Sequence, residues 1–310
     1  VKEKDEMARN YQASRQWQRI QDNWITEEVA DDLTTFKSDR RNYKISLWNP
    51  EVNGGRYLKA LIYHLSMGLD EQEWARVRRI KNREVGNPVT VCCNGEKICL
   101  DYLQATLELG FIEQEINLAG ANIVEIGAGY GRTCHAILSN YDISTYTIVD
   151  LKNTMQLSRK YLREVLDDTQ FAKINFVESA GADNIRDPAH FDLCININSL
   201  AEMSPATVCD YLELIDRKCA SFYVKNPVGK YLDKSITGYS ESDTPVQIAM
   251  ESGPLRQVLD IHDNLAVETA ASDFITAYRP GEDWICVADG WSLPWSYFWQ
   301  AFYKNDRSYR

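Results

Sequence analysis

Residues 124–133 read VEIGAGYGRT, and the fold follows from what this stretch joins. ANIVEI (121–126) is a short apolar strand candidate, and GRTCHAILSN (131–140) carries helical spacing. Between them stand Gly127, Gly129 and Gly131. Glycines at such a junction let the backbone turn tightly and let a ligand come close, while the start of the helix offers free N–H groups. A nucleotide-like cofactor is implied. The nicotinamide fingerprint GxGxxG would need glycine at position 132, where the chain has Arg132, so a dehydrogenase is disfavoured.

Outward from the loop, short apolar runs alternate with helical ones. STYTIVD (144–150), AKINFVE (172–178), FDLCINI (191–197) and ASFYVKN (220–226) are further strand candidates; LKNTMQLSRKYLREVL (151–166) and SPATVCDYLELIDRK (204–218) are the helices among them. This alternation implies a mostly parallel sheet covered on both faces, a doubly wound α/β domain. GNPVTVCCNGEK (86–97) holds two short strand candidates between turns, and CLDYLQATLELGFI (99–112) reads as an amphipathic helix. DFITAYRP and DWICVADG, on either side of Gly281 and Glu282, read as a closing hairpin. Residues 1–83 form a helical front section, a cap or an oligomerisation element, and 84–310 form the cofactor-binding domain. Within the latter, the polar stretch 227–250 reads as a lid.

The chain has 310 residues, 34 Lys and Arg against 45 Asp and Glu, and a net charge of -11. Such a surface repels a phosphate backbone, which argues against nucleic acid as partner. The basic run RVRRIKNR (76–83) reads as the solvated face of a helix. None of the eight cysteines forms a CxxC pair, and several sit in apolar runs, so they read as small buried hydrophobes in a reducing compartment. No stretch approaches the ~18 apolar residues of a membrane span, and the polar start VKEKDEMARN is no signal peptide. A cytoplasmic protein with no membrane partner is expected. A first residue of Val rather than Met suggests a chain trimmed at its start.

The loop also matches ExGxGxG, with Glu125 two residues before the first glycine, and Asp150 closes the next strand candidate. Together these resemble motif I and the ribose-binding acid of class I S-adenosylmethionine-dependent methyltransferases. More narrowly, the chain resembles the sugar O-methyltransferase family associated with glycosylated natural products and polysaccharides. That resemblance rests on GNP (86–88), EIGAGYGR (125–132), NSLAEM (198–203), YVKN (223–226) and GEDW (281–284), in this order, over about residues 80–290. It implies a Rossmann-like sheet of seven strands, S-adenosyl-L-methionine as cofactor, and a sugar or glycoside hydroxyl as acceptor. Amine, carboxylate or lipid-linked glycan acceptors, and a binding module without catalysis, are the alternatives.

Carried over residue by residue, Gly127, Ala128, Gly129 and Gly131 would line the methionine and ribose part of the cofactor. Glu125 would organise the loop or meet the cofactor's amino group, and Asp150 would hold the ribose, since a carboxylate can accept from both hydroxyls. Ser179 and Ala180, after the third strand, would meet the adenine, and Asn198 would face the cofactor from the end of the fourth. Glu202 is the first candidate for a general base, because a sugar hydroxyl is a weak nucleophile. His135, on the helix after the loop, and His262 beside Asp263 are the further candidates; a buried helix histidine and a solvated turn are the competing readings of those two. Ser204 with Pro205 reads as a helix cap. The adjacent pair Asp167–Asp168, near the core motifs, reads as a helix end, so no required metal is expected. The aromatic tail WSLPWSYFWQAFY (291–303) reads as packing or a subunit contact.

Overall fold

The computed structural model describes residues 13–24, 34, 37, 40–185, 190–230 and 244–306. It divides the chain into two compact units, Val1–Leu61 and Ile62–Arg310, earlier than the boundary the sequence suggests near residue 83. The first unit contains α1 (Arg15–Asn23), capped by the Ser14 hydroxyl, which accepts from Trp17 N, then α2 (Tyr43–Ser46) and the start of α3 (Pro50–Met67).

Helix α4 (Glu71–Arg79) belongs to the larger unit for a physical reason. Its capping box, Asp70 with Glu73, fixes the start, and the helix then buries Trp74, Arg76 and Val77. Arg76 pairs with Glu113 on α5 (Leu100–Glu115). The basic run 76–83 is the solvated face expected of it only in part: Arg79 and Lys81 are exposed, but Arg76 is inside and Arg83 pairs with Glu96.

A hairpin of β1 (Thr90–Cys93) and β2 (Glu96–Cys99) leads into α5. The main sheet follows, with β3 (Asn122–Ile126), α6 (Arg132–Asn140), β4 (Thr145–Asp150), α7 (Lys152–Val165), α8 (Asp168–Phe171) and β5 (Ile174–Glu178). Next come β6 (Leu193–Ile197), α9 (Pro205–Lys218), β7 (Ser221–Pro227), α10 (Thr244–Glu251), α11 (Asn264–Ala277), β8 (Trp284–Trp291) and β9 (Phe298–Asn305). Strand order is β5-β4-β3-β6-β7-β9-β8. The first five strands are parallel, and β9 runs antiparallel to both β7 and β8. This is the doubly wound, Rossmann-like seven-stranded sheet expected of a class I methyltransferase.

Pleating explains the two cores. Ile123, Tyr146, Ile148, Ile195 and Tyr223 pack on one face under α5, α6 and α7. Val124, Ile126, Val149, Phe222 and Val224 pack on the other under α9 and α11. Each such apolar side chain withdrawn from water contributes roughly 1.5–3 kcal/mol before entropy is subtracted.

The closing hairpin is not where the sequence suggested it. DFITA ends α11, whose Val267, Ala270, Ala271 and Phe274 keep helical spacing toward the core. The hairpin is β8 with β9, so the aromatic tail forms a central antiparallel strand that buries Phe298, Phe302 and Tyr303. Cys93, Cys99, Cys134, Cys194 and Cys219 are buried free thiols, whereas Cys92 and Cys209 are exposed. The lid reading rests mainly on 231–243, outside the described residues; 227–230 continue from β7 and 244–250 lie in α10.

Candidate functional site

The glycine loop sits at the carboxyl end of β3, where open α/β sheets bind ligands. Gly127, Gly129 and Gly131 all have left-handed backbone, with φ of 75°, 59° and 96°. Each is required for a different reason. A Cβ on Gly127 would lie 2.2 Å from Ser199 Oγ, and one on Gly131 would lie 2.8 Å from Leu162 Cδ1. A Cβ on Gly129 would meet nothing within 4 Å, so this glycine alone faces open space. Its N–H donates to Asp150 Oδ2 at 2.9 Å, and Asp150 Oδ1 accepts from Leu151 N at 2.7 Å. The carboxylate at the end of β4 thus braces the loop.

The loop after β6 meets it from the other side. Asn198 takes left-handed backbone (φ 61°), and its N–H donates to the Lys225 carbonyl at 2.8 Å. That reversal turns the Ser199 hydroxyl onto the Ile126 carbonyl at 3.0 Å. Asn196 Nδ2 donates to the same carbonyl at 2.9 Å, and Asn226 Nδ2 donates to Asn196 Oδ1 at 2.9 Å. Buried amides here satisfy the backbone groups that the strand ends leave open. Ser204 caps α9 by accepting from Thr207 N at 3.1 Å, as its sequence predicts.

Between these loops lies a cavity of about 330 Å3. Glu125, Gly127, Ala128, Gly129 and Asn198 line it, together with Gln104, Arg132, Lys225, Trp295 and Phe298. Glu125 is buried and accepts from Tyr146 Oη at 2.8 Å. Burial raises its carboxyl to about 7, against the hydrogen bond from Tyr146. Asp101, exposed at the margin, accepts from Tyr130 Oη at 3.1 Å.

Next to the loop, two cations share one carboxylate. Glu108, inside α5, pairs with Lys225 Nζ at 2.8 Å and with the Arg132 guanidinium at 2.6 Å. Burial works to raise Glu108, but the charges of Arg132 and Lys225 outweigh it and hold the carboxyl below its ordinary value. Burial holds the Lys225 ammonium below the ordinary lysine value in spite of Glu108.

The other sequence candidates lie elsewhere. Gly131 caps α6 and packs on α7, and Asp150 is buried behind the loop. Ser179 and Ala180 form the turn after β5, and neither lines the cavity. Glu202 is exposed on the turn after Ser199, outside the cavity. His135 is buried between helices, 2.6 Å from Tyr102 Oη, and burial lowers it to about 4. His262 is exposed, while Asp263 caps α11 by accepting from Leu265 N at 3.0 Å, so the two form no base-and-orienter pair. Glu202, His135 and His262, the catalytic candidates of the sequence, are thus not among the residues that line this cavity. Lys225, Glu108, Gln104 and Trp295 were missed as site residues. A lysine inside the apolar run ASFYVKN and a glutamate on the apolar face of ATLELGF were the available signals.

Among the described residues no cluster of His, Cys, Asp or Glu is built to hold a metal, and no helix is long and apolar enough to cross a membrane. No protein-family model and no curated protein matches the chain. Several solved structures are similar. The pyocyanin biosynthetic protein PhzM aligns at 11% identity over 90% of this chain and 75% of its own, with a TM-score of 0.44. The mitomycin 7-O-methyltransferase MmcR aligns at 11% identity over 76% and 66%, with a TM-score of 0.41. The N,N-8-amino-8-demethyl-D-riboflavin dimethyltransferase of Streptomyces davawensis aligns at 13% identity over 66% and 57%, with a TM-score of 0.41. The chain thus spans little more than half the length of that last enzyme. At such identities and scores the likeness says nothing of acceptor or mechanism.

Proposed function

We propose that the chain is an S-adenosylmethionine-dependent O-methyltransferase acting on a hydroxyl of a sugar or glycosylated small molecule. One observation carries the reading: Gly129 is left-handed, faces open space, and is held there by Asp150 from the neighbouring strand, beside a cavity of ligand size. A loop built this way admits a cofactor against bare backbone and leaves a carboxylate at its flank. Glu125 would meet the amino group of the methionine part, Asn198 would shape the cleft, and Asp150 would accept from the ribose with its remaining lone pairs. Ser179 and Ala180, after β5, would lie toward the adenine. When bound, S-adenosylmethionine supplies a methyl group already activated on a sulfonium.

The protein's own task is then alignment and proton removal. Among the carboxylates lining the cavity, Glu125 is buried and is assigned to the cofactor's amino group, whereas Asp101 is open to solvent. Asp101, oriented by Tyr130, is the group to take the acceptor's proton. Trp295 and Phe298 provide flat apolar surface for a ring. Titration calorimetry with S-adenosylmethionine, followed by a cofactor-consumption screen over glycosides, nucleotide sugars and amines, tests the reading. Absence of cofactor binding would sink it, and turnover of amines alone would move the acceptor class.

A further inference from the structure

Lys225 is out of place on any structural account. It lies two residues before the end of β7, is 1% exposed, and follows Tyr223 and Val224, which are wholly buried. Desolvating an ammonium is costly, and Glu108 already has a full partner in Arg132. Lys225 must therefore share its carboxylate with a second cation. The charge of Asp101, which is exposed and engaged with Tyr130, acts on Arg132, whose Nη1 also reaches the Asp101 backbone carbonyl at 3.3 Å.

Two of the ammonium's three N–H groups are used, on Glu108 at 2.8 Å and on Gln104 Oε1 at 3.3 Å. Lys225 also lines the cavity. Its place in the sheet separates it from the cofactor side: it pairs with Ile197 of β6, which lies between it and β3. Two strand spacings, about 10 Å, therefore stand between Lys225 and the glycine-loop strand. Its immediate surroundings are Phe298, whose ring centre is 5.7 Å from Nζ, and Gln104, which accepts from Trp295 Nε1 at 3.2 Å. A cation, an amide and two aromatic surfaces converge there.

The geometry points to Lys225, backed by Glu108, Arg132 and Gln104, as a receptor for an anionic group of the acceptor, which is thus a sugar or glycoside bearing a carboxylate or a phosphate. This rests on the proposed methyltransferase reading and narrows its substrate class. The acidic group accepts from the third N–H of Lys225, which otherwise shares Glu108 with Arg132, and fixes the ring so that one hydroxyl is presented to the methyl group.

The test is calorimetry on the protein saturated with S-adenosylhomocysteine, titrated with methyl glucuronide, glucose 1-phosphate and neutral methyl glucoside. At least one acid should bind tenfold or more tighter than the glucoside, and which one does so distinguishes carboxylate from phosphate. In Lys225→Met, which leaves the Glu108–Arg132 pair matched, that preference should fall at least tenfold. Gln104→Leu, which changes no charge, should reduce it by a smaller factor and guards against a folding defect in the first variant. An acid bound no better than the glucoside, or a preference that survives Lys225→Met, overturns the proposal. So does a tenfold loss of S-adenosylhomocysteine affinity in Lys225→Met that a decarboxylated cofactor analogue does not suffer, because the anion held would then be the cofactor's own. Failure of wild-type protein to bind S-adenosylhomocysteine at all would instead overturn the methyltransferase reading.

Discussion

The Ser199 hydroxyl occupies the space that a side chain on Gly127 would need, with 2.2 Å between Oγ and the position of the absent Cβ. Two loops that are far apart in sequence thus interlock at the carboxyl ends of adjacent strands. Gly127→Ala should destabilise the protein by about 2–4 kcal/mol, combining left-handed strain with overpacking. Ser199→Gly in the same chain should recover the overpacking share but not the strain. Urea unfolding of the two single variants and the double variant measures the coupling, and strictly additive effects would refute the interlock.

Gly129 and Gly131 should separate function from stability. Both are left-handed, but only Gly131 abuts a core residue, Leu162. Gly129→Ala should cost only about 1–2 kcal/mol of backbone strain while lowering cofactor affinity at least tenfold. Gly131→Ala should cost more in stability, through Leu162, and less in affinity at a temperature where it stays folded. Thermal melts beside calorimetric titrations decide this; the opposite ranking would put the cofactor's approach at the wrong glycine.

Burial at Glu125 makes stability depend on pH. The unfolded carboxyl loses its proton near 4.5, whereas the folded one keeps it to about 7. Between those values the native state binds the extra proton, so this residue's contribution to stability falls as pH rises through the window. Glu125→Gln should remove that loss, gaining up to about 3 kcal/mol in the ligand-free protein at pH 8 and nearly nothing at pH 4. The same change should weaken cofactor binding. Melting temperatures at both pH values check the first part; an equal gain at both would mean that the carboxyl is not the cause.

These effects were unequally legible in the sequence. Alternating apolar runs are local, so β3 to β7 and the helices between them could be read directly. The glycine loop was legible because left-handed backbone selects glycine wherever it occurs. The hairpin was misplaced because DFITA is apolar and short enough to pass for a strand, and only its packing under the sheet makes it the end of α11. Glu108, Arg132 and Lys225 come from three separate elements, and no spacing rule joins them. Glu202 shows the opposite case, lying near a cavity residue in sequence but not lining the cavity. Proximity to Asn198 in sequence suggested a shared site, but the left-handed turn at Asn198 directs Ser199 inward and leaves Glu202 in solvent.

The last prediction follows from that turn. Asp101 lines the cavity and Glu202 does not, although both are exposed carboxylates. If proton removal assists transfer to a hydroxyl, the group must lie within hydrogen-bond reach of the acceptor oxygen, or one water away, and typically contributes 10²–10⁴-fold. Asp101→Asn keeps an acceptor oxygen for Tyr130 but abolishes the base, so kcat should fall by roughly 10²-fold with little change in cofactor affinity. Tyr130→Phe, which removes only the orienting hydroxyl, should lower kcat by a smaller factor. Glu202→Gln should stay within about threefold of wild type, because its charge is screened by solvent outside the cleft. Single-turnover rates with the best acceptor from the screen compare the three. A large loss at Glu202 with none at Asp101 would mean that the acceptor enters beside the turn after β6 and that the base stands there instead.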